Sequence, residues 1–237
     1  MLALVTGASR GIGAAIAARL AADGYTVIVH YNKSAEAACK IAEQTGGIPM
    51  QADLGDFAQI DRMTDEIRET YGKLDLLVNN AGMALSGLYQ DIPDEQALRL
   101  FLVNVGGVMH TTKMLLPDMI REHSGCIINI ASVWGQCGAA CEVHYSAAKA
   151  AVIGFTKALA QEVGPSGIRV NCISPGVIDT EMNRMHDAQT MQSLADQTPI
   201  GTIGTPEDIA DTAAFLASEQ AKFITGQIIP VNGGFLI

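Results

Sequence analysis

Apolar and polar residues alternate in blocks along this chain. Short runs rich in β-branched residues fall at 2–6 (LALVT), 26–31, 48–52, 74–79, 126–131, 168–174 and 227–232. They are apolar nearly throughout, as strands covered on both faces must be. Between them lie longer segments with helical spacing, near 11–23, 34–45, 56–71, 94–120, 142–163 and 206–218. Strand-helix alternation predicts right-handed crossovers and an α/β fold with a doubly wound parallel sheet. No long linker, repeat or low-complexity segment intervenes, so residues 1–237 are expected to form a single domain. One stretch leaves the pattern. Residues 179–204 are polar and Met-rich, and are expected to form a mobile substrate flap rather than core.

Composition narrows the function classes. With 49% hydrophobic and 17% charged residues the chain is globular. A net charge of -10 argues against nucleic acid, whose phosphates need cations, and against anionic lipid. No uninterrupted apolar run is long enough to span a bilayer. The opening MLALVTG lacks a basic segment and meets glycine early, so it reads as a strand rather than a signal peptide. The five cysteines form no C-x-x-C pair, which predicts reduced thiols and the cytoplasm. Cys137, Cys141 and His144 fit no zinc spacing, so no metal is expected.

TGASRGIG, Thr6–Gly13, follows the first strand and opens a helix. In that context Gly7 permits a sharp turn, Gly11 lets the backbone approach a pyrophosphate, and Gly13 lets helix pack on strand. The helix N-terminus offers free N–H groups to the phosphates. This predicts a Rossmann-type nucleotide site. An NAD site usually ends its second strand with an acid for the ribose 2′-hydroxyl. Here the strand ends His30, Tyr31, Asn32, Lys33, Ser34. Arg10 and Lys33 are placed to meet a 2′-phosphate, so NADPH is expected. Glu36 falls in the first turn of a helix capped by Ser34, where the dipole accounts for it.

In EVHYSAAKAAVIGF, Tyr145 and Lys149 lie about one helical turn apart. Alone, the pair also describes a surface helix whose Tyr packs and whose Lys snorkels. In order along the chain, Thr6–Gly13, NNAG (Asn79–Gly82), Ser132 at a strand end, and Tyr145 with Lys149 resemble the short-chain dehydrogenase/reductase family. PGVIDT (Pro175–Thr180) and ITGQIIPVNGG (Ile224–Gly234) extend the likeness over essentially the whole chain. The closest general likeness is to 3-oxoacyl-carrier-protein reductases.

The resemblance implies a catalytic set of Asn104, Ser132, Tyr145 and Lys149. Asn104 would hold a water near Lys149, and the glycines after it suggest a locally loosened helix. It implies cofactor contacts from Gly7, Ser9, Arg10, Gly11, Ile12, Gly13, Asn32, Lys33, Asp53, Leu54, Pro175 and Gly176. Asp53 would bind the adenine amino group, while Asn80, Ala81 and Gly82 line the adenosine ribose. Ile178 and Thr180 would meet the nicotinamide carboxamide, and Tyr145 and Lys149 also belong to the cofactor site. Lys149 and the oxidised nicotinamide would lower the phenol pKa from about 10. Trp134, Glu142 and Met182 are candidate substrate contacts. The family is commonly tetrameric, so a homo-oligomer is expected.

Two features depart from the carrier-protein reductases. Cys126 and Ser166 stand where those enzymes often carry basic residues, and the negative net charge would steer an acidic carrier poorly. The segment SVWGQCGAACEVHY, with Ala139 and Glu142, resembles a bacterial subgroup assigned to the aminopentanone modification of elongation factor P. Three functions follow: a reductase of an acyl-thioester ketone, a reductase of a lysine-linked ketone on a protein, or a non-catalytic NADP-binding protein.

Overall fold

Strand β1 (Leu2–Val5) shows how the apolar runs are used. Ala3 and Val5 point into one helical layer, Leu2 and Leu4 into the other. Further strands are β2 (Thr26–Tyr31), β3 (Ile48–Gln51), β4 (Leu76–Asn79), β5 (Gly125–Ile130), β6 (Ile168–Pro175) and β7 (Ile228–Val231). All pair in parallel, in the order β3-β2-β1-β4-β5-β6-β7. The computed structural model describes residues 1–181 and 188–235. The expected doubly wound sheet is therefore present, and the direction of winding reverses between β1 and β4.

The helices are α1 (Gly11–Ala22), α2 (Ala35–Thr45), α3 (Phe57–Tyr71), α4 (Asp94–Phe101), α5 (Val108–Arg121), α6 (Trp134–Cys137), α7 (Val143–Val163), α8 (Ala188–Asp196) and α9 (Pro206–Ala217). Helices α1, α2 and α9 cover one sheet face; α3, α5 and α7 cover the other. The Asp56 side chain caps α3, and a Thr205–Asp208 capping box starts α9. Ser34 precedes α2 but makes no side-chain cap; its hydroxyl accepts from Arg10 instead.

The helical pattern at 94–120 is not one helix. Residues Leu102–Gly107 form a π-helical segment between α4 and α5. Gly107 is needed there, because a Cβ would stand 2.6 Å from the Leu54 carbonyl oxygen. The loosening expected around Asn104 is thus real, and π-segments often mark functional sites.

The stretch 179–204 is more regular than its polarity suggests. It contains α8, Thr198 is buried, and Ile178 forms a β-bridge with Gly204. Residues 182–187, including Met182, lie outside the described residues. All five cysteines are free thiols. Cys126 is buried in the core, so that position does not face a docking partner. Among the described residues no helix is long and apolar enough to cross a membrane, and no group of His, Cys, Asp and Glu forms a metal site.

Candidate active site

The crevice at the reversal of strand order is lined by the loops after β1 and β4, where open α/β sheets bind ligands. Gly7 and Gly11 have φ of +65° and +53°, conformations that favour glycine. A Cβ at Gly7 would come within 2.8 Å of Ala81 Cα, and one at Gly13 within 2.3 Å of the Gly7 carbonyl oxygen. Gly7 thus makes the sharp turn, and Gly13 the close packing of helix on loop, that their spacing predicts. They bring the backbone of residues 7–13 against the 79–82 loop and aim the start of α1 at the crevice. A dinucleotide fits this cradle. Gly11 also faces Thr180, with the virtual Cβ 3.4 Å from its methyl group, so the PGVIDT segment closes the same crevice.

Several expected cofactor residues have other work. The Asn80 amide donates to the carbonyls of Thr6 (2.9 Å) and Gly7 (3.2 Å), bracing the glycine loop. Leu54 and Ile178 have buried side chains, so only their backbones are available to a cofactor. Ile12 packs against the core. Gly176 fits closely beneath Asn232, and the Pro175 carbonyl accepts from the Val133 amide at 3.0 Å. Arg10 donates to Glu181 at 2.7 Å and to Ser34. Asn32 and Lys33 are exposed at the end of β2. Asp53 is paired with Arg99 of α4, whose Nη2 donates to its oxygens at 2.5 and 2.7 Å. Burial raises the Asp53 pKa, but the bonds from Arg99 and the Gly55 amide outweigh it and hold the carboxyl below its usual range.

Ser132 lies just past β5, and Tyr145 and Lys149 lie on α7. The Ser132 hydroxyl lies near enough to Tyr145 to favour its phenolate. The Lys149 Nζ stands 5.7 Å from the centre of the Tyr145 ring and donates to the Ile130 carbonyl at 2.8 Å. Helix α6 packs closely on α7 because Gly135 has no side chain; a Cβ there would be 2.8 Å from the Lys149 carbonyl carbon. The expected lowering of the phenol pKa is not produced by the polypeptide. Burial pushes Tyr145 up to about 12, the Ser132 hydroxyl works downward, and the Glu142 charge adds to the rise. Burial also brings Lys149 down to about 8. Low dielectric disfavours both charged forms.

Asn104 is buried beside this group. Its oxygen accepts from the Met83 amide and its nitrogen donates to the Met83 carbonyl, both at 2.8 Å. Gly82 fits between Asn104 and Lys149; a Cβ on it would lie 3.4 Å from Asn104 Oδ1 and 3.6 Å from Lys149 Nζ. Trp134 donates its amide to Ser132 Oγ at 3.2 Å and packs edge-on against Phe235. Glu142 is the N-cap residue of α7 without a side-chain capping bond. Beside it, His144 stacks on Tyr89, ring centres 5.1 Å apart.

Sequence reasoning missed two supports of the site. His30 is buried, with Nδ1 accepting from the Gly7 amide at 3.0 Å and Nε2 facing the Ala52 carbonyl at 3.0 Å. Nε2 therefore carries the proton in a neutral ring, and burial brings the pKa down to about 4. The second is a polar ladder inside the apolar strands. Asn79 donates to Asn129 at 2.9 Å, and Asn129 donates to Thr156 of α7 at 2.9 Å. The signals were a His and two Asn within otherwise apolar runs.

Known proteins share this architecture. A family profile described as Enoyl-(Acyl carrier protein) reductase matches residues 7–236. The chain is 43% identical to an uncharacterized oxidoreductase, YmfI, of Bacillus subtilis (strain 168), over 98% of both chains. It is 40% identical to the 3-oxoacyl-[acyl-carrier-protein] reductase FabG of Escherichia coli (strain K12), covering 98% of this chain and 96% of the relative. A FabG of Staphylococcus aureus (strain Mu50 / ATCC 700699) is also 40% identical, with the same coverage. A crystal structure titled ribose-5-phosphate isomerase, from Brucella melitensis 16M, superposes with a TM-score of 0.95. It is 36% identical, covering 100% of this chain and 92% of that one. These names span three reactions, so they are similarities rather than a substrate assignment. The full-length match, with the glycine cradle and the Ser132–Tyr145–Lys149 group, makes the chain a member of the short-chain dehydrogenase/reductase family of nicotinamide-dependent oxidoreductases.

Proposed function

We propose that this oxidoreductase uses NADPH to reduce a ketone to a secondary alcohol, with Tyr145 as general acid. One observation carries the reading: Ser132, Tyr145 and a buried Lys149 stand together at the crevice that holds the glycine cradle. When bound, the reduced nicotinamide supplies a hydride to the carbonyl carbon. Tyr145, with its pKa near 12, is fully protonated at neutral pH and gives its phenolic proton to the carbonyl oxygen. An alkoxide is a stronger base than a phenolate, so the transfer remains downhill. Ser132 donates a hydrogen bond to the same oxygen as charge develops. Lys149 stabilises the phenolate left behind and would hold the nicotinamide ribose. Asn104 positions the Met83 backbone.

The cofactor choice rests on the absence of an acid at the end of β2 and the placement of Arg10, Ser34 and Lys33. The Arg10 guanidinium, bonded to Ser34 and to Glu181, would have to exchange the carboxylate for a 2′-phosphate, which suits it as a charge-assisted partner. Ala147, Ala150, Ala151 and Gly154 are exposed on α7, and Phe155 and Leu159 of the same helix line an apolar groove with Phe57, Met109 and Leu116. That face supports a homo-oligomer, with a tetramer expected. The free thiols support a cytoplasmic setting.

The substrate class implied by the carrier-protein reductase relatives is an acyl-thioester ketone. A second reading, a protein-linked aminopentanone, is favoured by Glu142, whose charge is felt at the Tyr145 phenol. A panel of acetoacetyl thioester, simple ketones and amino-ketones, followed at the nicotinamide absorbance, tests both. NADPH should exceed NADH in kcat/KM by at least about tenfold. Equal values, or no ketone turned over, would contradict the reading.

A further inference from the structure

Three elements converge beyond the glycine cradle: the end of β2 with Asn32, the loop after β3 with Asp53, and α4 with Arg99. Asp53 is held from several sides. Arg99 Nη2 donates to both its oxygens, and the Gly55 amide donates to Oδ1 at 2.8 Å. The Asp53 amide donates to Gln59 Oε1 at 3.0 Å, fixing the backbone as well. The Arg99 guanidinium lies directly over Gly55, where a Cβ would come within 1.8 Å of Nη1 and 2.5 Å of Cζ. Gly55 is thus the seat that lets Arg99 reach Asp53. The pair stays open to a ligand, with side-chain exposures of 38% for Arg99 and 24% for Asp53.

Geometry says which part of a dinucleotide lies here. The pyrophosphate belongs at the helix start after β1 and the ribose at the end of β2. The base then extends past β2 to the C-terminal end of β3, where Asp53 stands. A carboxylate suits an amino group on that base, but a lone carboxylate beside a phosphate-rich ligand also repels it. Arg99 removes the repulsion, because the pair carries no net charge, and it fixes the direction of the oxygens. We infer that Arg99, acting through Asp53, is the positioning residue for the adenosine half of the cofactor. This rests on the nicotinamide-dinucleotide reading above.

The test is binding, measured by the fluorescence change of the reduced nicotinamide. Arg99→Leu should weaken NADPH and NADH alike by about tenfold. Reduced nicotinamide mononucleotide, which lacks adenosine, should bind as to the wild type. Removing the exposed charge as well, in Arg99→Leu with Asp53→Asn, should recover part of the loss, because the two residues act as a unit. Gly55→Ala, which displaces the guanidinium while leaving its charge, should give a weaker version of the Arg99→Leu effect. Unchanged dinucleotide affinity in Arg99→Leu, or an equal loss for the mononucleotide, would overturn the inference. If the wild type bound neither dinucleotide, the cofactor reading itself would fall, and this inference with it.

Discussion

Lys149 holds its ammonium 5.7 Å from the centre of the Tyr145 ring, one helical turn along α7, with Lys149 buried and Tyr145 partly so. Burial sets their proton affinities in opposite directions, leaving a neutral acid beside a weakened cation. The cost of burying that cation has a visible consequence. With a folded pKa of about 8 against 10.5 unfolded, Lys149 binds its proton more tightly in the unfolded chain. Its contribution should destabilise the fold fully below about pH 8 and ease as pH rises toward 10.5. Lys149→Met should flatten that rise, keep a Tm at neutral pH no lower than the wild type, and lose most turnover. An unchanged Tm-against-pH slope over that window would contradict the assignment.

His30 makes the complementary case in acid. Its ring must stay neutral to accept the Gly7 amide, and its folded pKa of about 4 lies below the unfolded 6.5. Stability is present above pH 6.5 and lost as pH falls toward 4, by roughly 3 kcal/mol from this group. His30→Gln should lose less stability than the wild type across the same interval. Parallel unfolding curves for the two proteins would rule out His30 as the titrating group.

Gly13 has no space for a side chain, with the Gly7 oxygen and the Asn80 amide nitrogen 2.3 and 2.5 Å from a built Cβ. Gly13→Ala should cost about 1–3 kcal/mol of stability and weaken cofactor binding, because the bracing of Asn80 on the loop must shift. Thermal unfolding and a cofactor titration measure both effects. A variant with wild-type values in each would show that the loop is not braced as described.

Glu142 separates the two substrate readings. The helix dipole alone favours an acid at the start of α7. If the carboxylate also receives a substrate ammonium, amino-ketones should exceed uncharged ketones of equal length by roughly ten- to hundredfold in kcat/KM, and Glu142→Gln should erase the difference. A wild type indifferent to the amine, or a variant that still prefers it, leaves Glu142 a helix-start acid.

The sheet was legible because its strands are apolar on both faces, and the three glycines because only glycine fits the cradle. The π-segment showed as two glycines after Asn104. The partners of polar residues were not legible. Asn104 binds Met83, Asn80 turns inward, and Asp53 is met by Arg99, each through contacts between parts of the chain far apart in sequence. The phenol pKa was misjudged for a related reason. A neighbouring cation was counted, while the desolvation that opposes it depends on packing that a linear pattern does not contain.

The central claim is that Tyr145 gives the proton that completes ketone reduction. Its most direct test is single-turnover oxidation of bound NADPH by a ketone that the wild type reduces, compared with Tyr145→Phe at matched cofactor saturation. The variant should bind NADPH with wild-type affinity and react about 10²–10⁴-fold more slowly. A Tyr145→Phe enzyme that kept most of the wild-type rate would show that the proton comes from elsewhere.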